Sequence, residues 1–592
     1  MMMAVLFFLF FFSGVVKETM NDYDVNHYFE SSEIKKQDVW QADRKSVADI
    51  VLIGSKEDDV LFRVVSEWAG YTKRKMTSYK KVQQYKLPEE ERPQMILIDS
   101  SGIDYSEDLR LIQKWGSERV PIVFCNLPDP KVIKENKELA EFLGIRKVYA
   151  YNTEISGVEI FGGFLLGGDT IYEANTKEEK KRQDFDLNIP WYQTTSGIKA
   201  YIVGLMEDEE IENEYLPAIL WRNSSEGKLI FAMNGDYMES EAGLGILSAI
   251  VTECKQYDIY PIVNSQNLVL ANFAGLADEN EEKMEEIYSR SQTAVFNDIV
   301  WPSVQTVIEK NKSKVTCLLS VQQDYEDGIE PDTSELVNQL RQINEVKGEA
   351  GLSTSRKGKI SVKDKLEEDR KYMIEQYSQY EFSAYYTKEK DLKSTVKLAG
   401  TKTASNLKTV TTDFVEGKSL LSFVDDDVTL QRSTIDGTTH TFTEDMRVKS
   451  IQTALGYSNI LVDMGRISWP KNKEDHFEKL AEKFTSYTNT YWRCFDGFAQ
   501  TPLSESDRRV RRFLALEYSE SREDNTISLD VENTVEPVWF LLRTHGEKVK
   551  GVEGGSYKEL EEDAYLIQAD EAHMAIELEE YLVDPYYYIE ER

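Results

Sequence analysis

Three short stretches of this chain set acids, and in one case an imidazole, where an apolar run gives way to a polar turn. KLIFAMNGDYMES (Lys228–Ser240) reads as a buried strand ending in a turn that carries Asp236. A carboxylate at the carboxyl end of a barrel strand can ligate a metal or act as a base. Asn234 and Tyr237 beside it are candidate substrate contacts. The competing reading is a turn in which Asn234, Gly235 and Asp236 satisfy local backbone groups. THTFTEDMR holds His440, Glu444, Asp445 and Arg447. His440 and Glu444 are four apart, a spacing that on one helical face can hold a divalent metal, whereas a strand end entering a helix cap would alter that geometry. QQDYEDG supplies Asp324, Glu326 and Asp327, acids of the kind glycosidases pair. The candidates are therefore Asp236, His440, Glu444 and Asp445 for catalysis. Asn234, Tyr237, Asp324 and Asp327 are candidates for substrate, and Asp236 with His440 for a divalent metal.

Other chemistries find little support. The histidines (His27, His440, His476, His545 and His573) are scattered, and Cys125, Cys254, Cys317 and Cys494 have no CxxC spacing, so neither a zinc knuckle nor a disulfide framework is indicated. VFCNLPD lacks the flanking glycines of a nucleophile elbow. The turn GSKEDD, after the first strand, lacks a dinucleotide fingerprint and carries acids that would repel phosphate. Trp492, Phe495 and Phe498 read as core aromatics, and RRVRR (508–512) as a helix face paired with acids.

The elements that must position these residues fall into several units, as a length of 592 residues requires. From residue 45, ADIVLIG, QMILIDSS and VPIVFCN alternate with helical patterns, which predicts a parallel sheet covered on both faces. Asp129 and Pro130 open one of those helices as N-cap and first residue. The expectation is a flavodoxin-like or amidotransferase-like three-layer domain over 45–225, its later part a glycine-punctuated β extension. Residues 226–470 read as a β/α barrel, with Leu229–Met233 and IYPIVNSQ among its strands. Residues 471–524 read as helices, one capped by Ser504, and 525–592 as a small β domain.

The net charge of −35, from 105 acidic and 70 basic residues, argues against nucleic-acid binding and would suit a cationic polymer of deacetylated amino sugars. AVLFFLFFFSGVV is 13 residues without a charge, short for a membrane span and right for a signal peptide or anchor over 1–16, with 17–44 as linker. The expected location is extracytoplasmic, secreted or membrane-attached.

The runs KLIFAMNGDYMES, IYPIVNSQN, GEAGLS, HTFTEDMR, TALGYSNILVDM and SESDRRVRRFLAL resemble the bacterial domain of unknown function 2194 family, associated with Pel-type exopolysaccharide loci. The domain order is similar to PelA, a flavodoxin-like region followed by a polysaccharide deacetylase barrel. The resemblance implies a polysaccharide substrate and a membrane or synthase-complex partner. Polysaccharide deacetylases hold a metal with an Asp at the end of the first barrel strand and H-x-x-x-H after the second. Asp236 fits the first position, and NSQNLVLANFAGLADENEEK has no histidine. Two classes stay open: a divergent deacetylase or glycoside hydrolase, and a non-catalytic polysaccharide-binding or assembly protein.

Overall fold

The computed structural model describes residues 32–42, 48–174, 176–185, 187–206, 215–376, 382–491, 497–532 and 537–580. The apolar run at 1–16, most of the linker, His27, Trp492, Cys494 and Phe495 lie outside the described residues. No described helix is long and apolar enough to cross a membrane.

The fold is α/β and multidomain. Its first unit is a nine-stranded mixed sheet. Met76–Tyr79, Ile50–Ile53, Met95–Asp99 and Ile122–Asn126 lie side by side, all parallel, a flavodoxin-like order. Alternate residues of each strand enter different cores. Leu52, Leu97 and Val123 join the helices Val60–Tyr71 and Ala242–Cys254, while Ile53, Ile98 and Phe124 join Tyr105–Ser117. That is why these strands read as unbroken apolar runs. Asp129 caps the helix Pro130–Glu135 as expected, accepting from the Lys131 amide.

One assignment changes the geography of the molecule. Ile230–Met233, the strand before Asp236, pairs parallel to Ile122–Asn126 and antiparallel to Ala218–Asn223. It is the fifth strand of the first sheet, not the first of a barrel. Ile198–Leu205, Gly157–Ile160 and Thr170–Glu173 extend the sheet as an antiparallel wing. The first unit thus runs past residue 225 through the helix Ala242–Cys254.

The barrel begins at Ser265–Phe273. This strand is flanked in parallel by Val315–Leu319 and Tyr457–Asp463. Glu349–Ser353, Ala384–Tyr386 and Thr409–Thr411 follow in order. The segment 429–436 closes the ring, its start pairing with Thr409–Thr411 and its end with Tyr457–Asp463. Seven parallel strands therefore enclose an interior filled by Val269, Ala271, Leu318, Ala384, Tyr386 and Leu461. Leu503, at the head of the helix Leu503–Ala515, plugs the amino-terminal end. Its amide donates to Thr316 Oγ1 (2.9 Å) and its carbonyl accepts from Gln431 Nε2 (3.0 Å). Pro502 is the N-cap of that helix; Ser504 lies inside its first turn, donating to Glu349 Oε2.

IYPIVNSQ divides between two units. Asp258–Ile262 pairs antiparallel with Val538–Arg543, within one of two four-stranded sheets that form the carboxyl-terminal β unit. The other sheet opens with Glu517–Glu523, so the predicted helix through 524 stops at Ala515. Two helices join the first unit to the barrel. Ala242–Cys254 crosses Phe442–Leu455 at Gly245, whose amide donates to Ser450 Oγ (2.8 Å). A Cβ on Gly245 would overlap the Ser450 carbonyl oxygen and hydroxyl.

Candidate functional site

In a parallel barrel the loops after the strands form one mouth, and side chains at the strand ends face it. Here those ends supply Asn272, Gln323, Ser353, Tyr386, Asp413, Asp436 and Asp463, one from each of the seven strands or the turn that follows it. Asn272 links two of them: it accepts from Ser353 Oγ and donates through Nδ2 to Asp463 Oδ1 (2.6 Å). The Gly465 amide adds a second bond to the same oxygen (3.0 Å). Among the described residues, Asp463 Oδ2 makes no hydrogen bond. Asp436 is committed to its own turn, Oδ1 accepting from the Thr438 amide and hydroxyl, and Arg466 approaches Oδ2 at 3.4 Å.

Asp413 differs from both. Tyr386 OH donates to its two oxygens at 2.9 and 3.1 Å. Burial pushes the Asp413 carboxyl above the usual range, and the charges of Asp463 and Asp436 push in the same direction. The Tyr386 hydrogen bond and Lys388 oppose them by favouring the ionised form. The surroundings of Asp413 thus favour its protonated form more than water would.

Glu279 forms one wall. Its Oε1 accepts the backbone amides of Gln323 (2.8 Å) and Asp324 (2.6 Å), which shapes the turn after the second barrel strand. Burial raises its pKa to about 7. On the rim, Lys357 Nζ lies 4.6 Å from the Trp469 ring centroid. Burial lowers the Lys357 pKa, and Lys388 and Lys471 lower it further by like-charge repulsion. The Gln323 Nε2 and Ser355 Oγ atoms of this region are buried without a hydrogen-bond partner.

The residues singled out by sequence divide between the first unit and the loops that follow barrel strands. Asp236 is exposed on the turn after the first sheet's fifth strand, and among the described residues its side chain makes no hydrogen bond or ion pair. Asn234 is buried and ties strands together, donating to the Pro190 (2.8 Å) and Ala218 (3.0 Å) carbonyls. Tyr237 packs its ring edge toward Phe442 (6.4 Å). Thr441 caps the helix Phe442–Leu455, and Glu444 accepts from Thr439 and Thr441 in a capping arrangement. Asp445 faces inward to accept from Tyr172 OH (2.5 Å). His440 stacks on Tyr491, with centroids 3.5 Å apart, and its Nε2 is 4.0 Å from Asp445. Burial lowers its pKa, which favours neutral imidazole. Asp324 and Asp327 hold the turn QQDYEDG together, accepting from the Glu326 and Ile329 amides. Asp236 follows the first sheet's fifth strand, whereas His440 follows the barrel strand Ile435–Asp436.

Among the described residues, the strand ends of the mouth do not fit the metal site that the resemblance implies. With the barrel correctly begun at Ser265–Phe273, the first strand end carries Asn272, an amide that donates its Nδ2 hydrogens to Asp463. The turn SVQQDYEDG after the second strand has no histidine. Among the described residues no group of three or more His, Cys, Asp or Glu side chains is placed to hold a metal ion.

Asp413 and Asp463 were passed over for different reasons. Asp413 follows a strand of three residues inside a Thr/Val-rich run, with no periodicity to mark it. Asp463 ends YSNILVD, an apolar strand with a terminal carboxylate, which is the same signal that drew attention to Asp236.

Comparison with solved structures aligns the chain with a carbohydrate deacetylase, Agd3 (10% identity, TM-score 0.48, 90% of this chain and 99% of that one). An exo-β-1,4-mannosidase, Op5Man5 from Opitutaceae bacterium strain TAV5, aligns at 8% identity and TM-score 0.21 over 35% of this chain and 33% of that one. A ThuA-like protein from Bacteroides uniformis aligns at 9% identity and TM-score 0.21, over 34% of this chain and 88% of that one. No curated protein matches by sequence. The model of one family matches residues 167–566, and the chain belongs to that family, DUF2194, described as an uncharacterised protein conserved in bacteria.

Proposed function

We propose that this chain is a polysaccharide-modifying enzyme that acts at the barrel mouth through carboxyl groups, cleaving a glycosidic bond by acid/base chemistry. The observation that carries this reading is Asp413, a half-buried carboxyl whose pKa is raised, hydrogen-bonded by Tyr386 and under the influence of a second strand-end acid, Asp463. Glycosidases need one carboxyl that keeps its proton and one that is ionised. Asp413 is suited to protonate the leaving glycosidic oxygen. Asp463, oriented by Asn272 and the Gly465 amide, with Oδ2 making no hydrogen bond among the described residues, is suited to serve as the second carboxyl. Hydrolysis by this route leaves one new reducing end and consumes one water.

The amide at Asn272 weighs against metal-dependent deacetylation. The wider setting is also proposed: a bacterial exopolysaccharide of Pel-like type as substrate, export through the segment 1–16, and a membrane-bound synthase complex as partner. Attachment is tested by fractionating cells that express the chain with and without residues 1–16. Recovery of both forms in the cytosol would remove that part.

The enzymatic reading is tested with purified full-length chain on N-acetylated and acidic polysaccharides, measuring reducing ends and free acetate in parallel. Asp413→Asn is expected to lower reducing-end release by about 10²- to 10⁴-fold, with chelator having no effect. Acetate release abolished by chelator would overturn the reading in favour of a metal-dependent deacetylase. Binding without either product would replace it with a non-catalytic glycan-binding role, which the Trp469–Lys357 rim supports.

A further inference from the structure

The two-stranded ribbon of Ile145–Glu154 and Asn188–Thr194 stands apart from the nine-stranded sheets. Two-stranded ribbons hold little structure alone. This one is anchored through Ile145, Tyr192 and the partly buried Val148 to the core that contains Ile133, Leu139 and Phe142, and through Ile189 to the core that contains Val64 and Ile246. From Val148 to Tyr151 exposure alternates, which turns Tyr149 and Tyr151 outward.

An outward aromatic face needs a reason. Of the seven exposed large hydrophobic side chains among the described residues, four belong to this neighbourhood: Val132 (38% exposed), Tyr149 (46%), Tyr151 (45%) and Tyr215 (44%). The rings are ordered by neighbours. Tyr149 and Trp191 lie 5.4 Å apart at 58°, and the Trp191 indole donates to the Tyr215 carbonyl (3.0 Å). Lys147 Nζ sits 5.0 Å from the Tyr149 centroid. Lys134 Nζ sits 5.4 Å from the Tyr151 centroid and donates to its hydroxyl (3.1 Å). Next to them opens a cavity of about 960 Å³, with Val132, Asp129 and Asn136 on its wall.

Rigid amphipathic rings present flat apolar faces at small entropic cost, with polar rims available for hydrogen bonds. The C–H faces of pyranose rings match such surfaces. Charge sets the class of glycan. In a chain of net charge −35, Lys134 and Lys147 make no ion pair among the described residues, and Lys131 and Arg146 are exposed beside them. Unneutralised ammonium groups on an aromatic platform complement carboxylates spaced along a sugar chain. Asp129 and Glu135 are exposed beside the same lysines.

We propose that the ribbon face of Tyr149, Tyr151 and Trp191, rimmed by Lys134 and Lys147, is a second polysaccharide-binding site, selective for acidic, uronate-bearing glycan. It rests on the reading that the ligand is a polysaccharide and is independent of the chemistry at Asp413. Its effect is to hold polymer against the first unit while the barrel mouth engages another stretch of the same chain.

Affinity electrophoresis of the full-length chain in gels containing polygalacturonate or neutral dextran tests it. Polygalacturonate is expected to retard the protein, more at low salt than at high salt, with dextran retarding it less. Tyr149→Ala/Tyr151→Ala is expected to weaken polygalacturonate binding about tenfold or more, and Lys134→Glu/Lys147→Glu to do the same with the rings intact. Tyr557→Ala, at an exposed ring outside the ribbon, should leave retardation unchanged, and reducing-end release measured in parallel separates failure at the ribbon from failure at the mouth. Circular dichroism checks that these exposed substitutions leave the fold intact. Unchanged retardation in both double variants overturns the site. Equal or stronger binding of dextran overturns the acidic class. Sedimentation showing that the wild type self-associates and the tyrosine variant does not would assign the face to a second copy of the chain instead.

Discussion

A carboxyl group becomes a useful acid when its surroundings oppose ionisation without abolishing it. Asp413 meets that condition through competing influences: burial and two neighbouring acids raise its pKa, while the Tyr386 hydroxyl and Lys388 lower it. The Tyr386 bond is the one that substitution removes cleanly. A hydroxyl that donates to a carboxylate stabilises the ionised form more than the protonated one. Tyr386→Phe should therefore raise the Asp413 pKa further. If Asp413 acts as the proton donor, activity falls as pH rises through its pKa, so the basic limb of the kcat/KM profile should move to higher pH in the variant. A basic limb that stays put, or moves down, would show that Asp413 is not the group that limits activity at high pH.

At the level of elements, the junction between the first unit and the barrel depends on two helices that touch without intervening side chains. Ala242–Cys254 is buried nearly all round, and Gly245 lets the backbone of Phe442–Leu455 come close enough for an amide-to-hydroxyl bond. Gly245→Val should cost about 1–3 kcal/mol or more from overpacking, seen as a lower denaturation midpoint, with Gly70→Ala as a control, since a Cβ there meets nothing within 4 Å. Equal midpoints for the two variants would mean that the crossing adapts freely. The same elements show what sequence could and could not reveal. The parallel strands of the first sheet were legible because burial on both faces leaves unbroken apolar runs. The strand Ile230–Met233 was legible as a strand, yet its sheet was not: an apolar tetrad followed by a turn carries no mark of its neighbours. Nor does the run from Asp258 to Phe273 mark its internal break. There the chain leaves the β unit at Ile262 and enters the barrel at Ser265, with Asn264 between them in the left-handed region (φ 54°). That two-residue transfer moved the first strand of the barrel, and with it the candidate site, from Asp236 to Asn272 and its neighbours.

For the whole molecule, the carboxyl-terminal β unit looks in sequence like an appendage, and its pairing says otherwise. Its central strand Val538–Arg543 lies between Ala564–Ala569 of the tail and Asp258–Ile262, which precedes the barrel. The borrowed strand is tied in turn to the first unit, where Arg74 donates to both Asp258 oxygens at 2.8 and 3.0 Å, with the two side chains 5% and 1% exposed. His545 reaches back to the Thr252 carbonyl (2.9 Å), and Arg509 stacks 4.2 Å from the Trp539 ring centroid. Removing residues 517–592 would strip the ladder from one edge of Asp258–Ile262. It would bare Ile259 and Leu516, which belong to the β unit's core, and open a buried ion pair to water. An unpaired apolar edge is an aggregation hazard, and a buried ion pair is costly once its surroundings no longer satisfy it. The truncated chain is therefore expected to be mostly insoluble, or, where soluble, to be cut rapidly by protease between residues 255 and 265 under conditions that leave the full chain intact. A soluble truncation with unchanged protease resistance and circular dichroism would establish that the β unit is separable after all, and that the barrel holds its first strand in place without it.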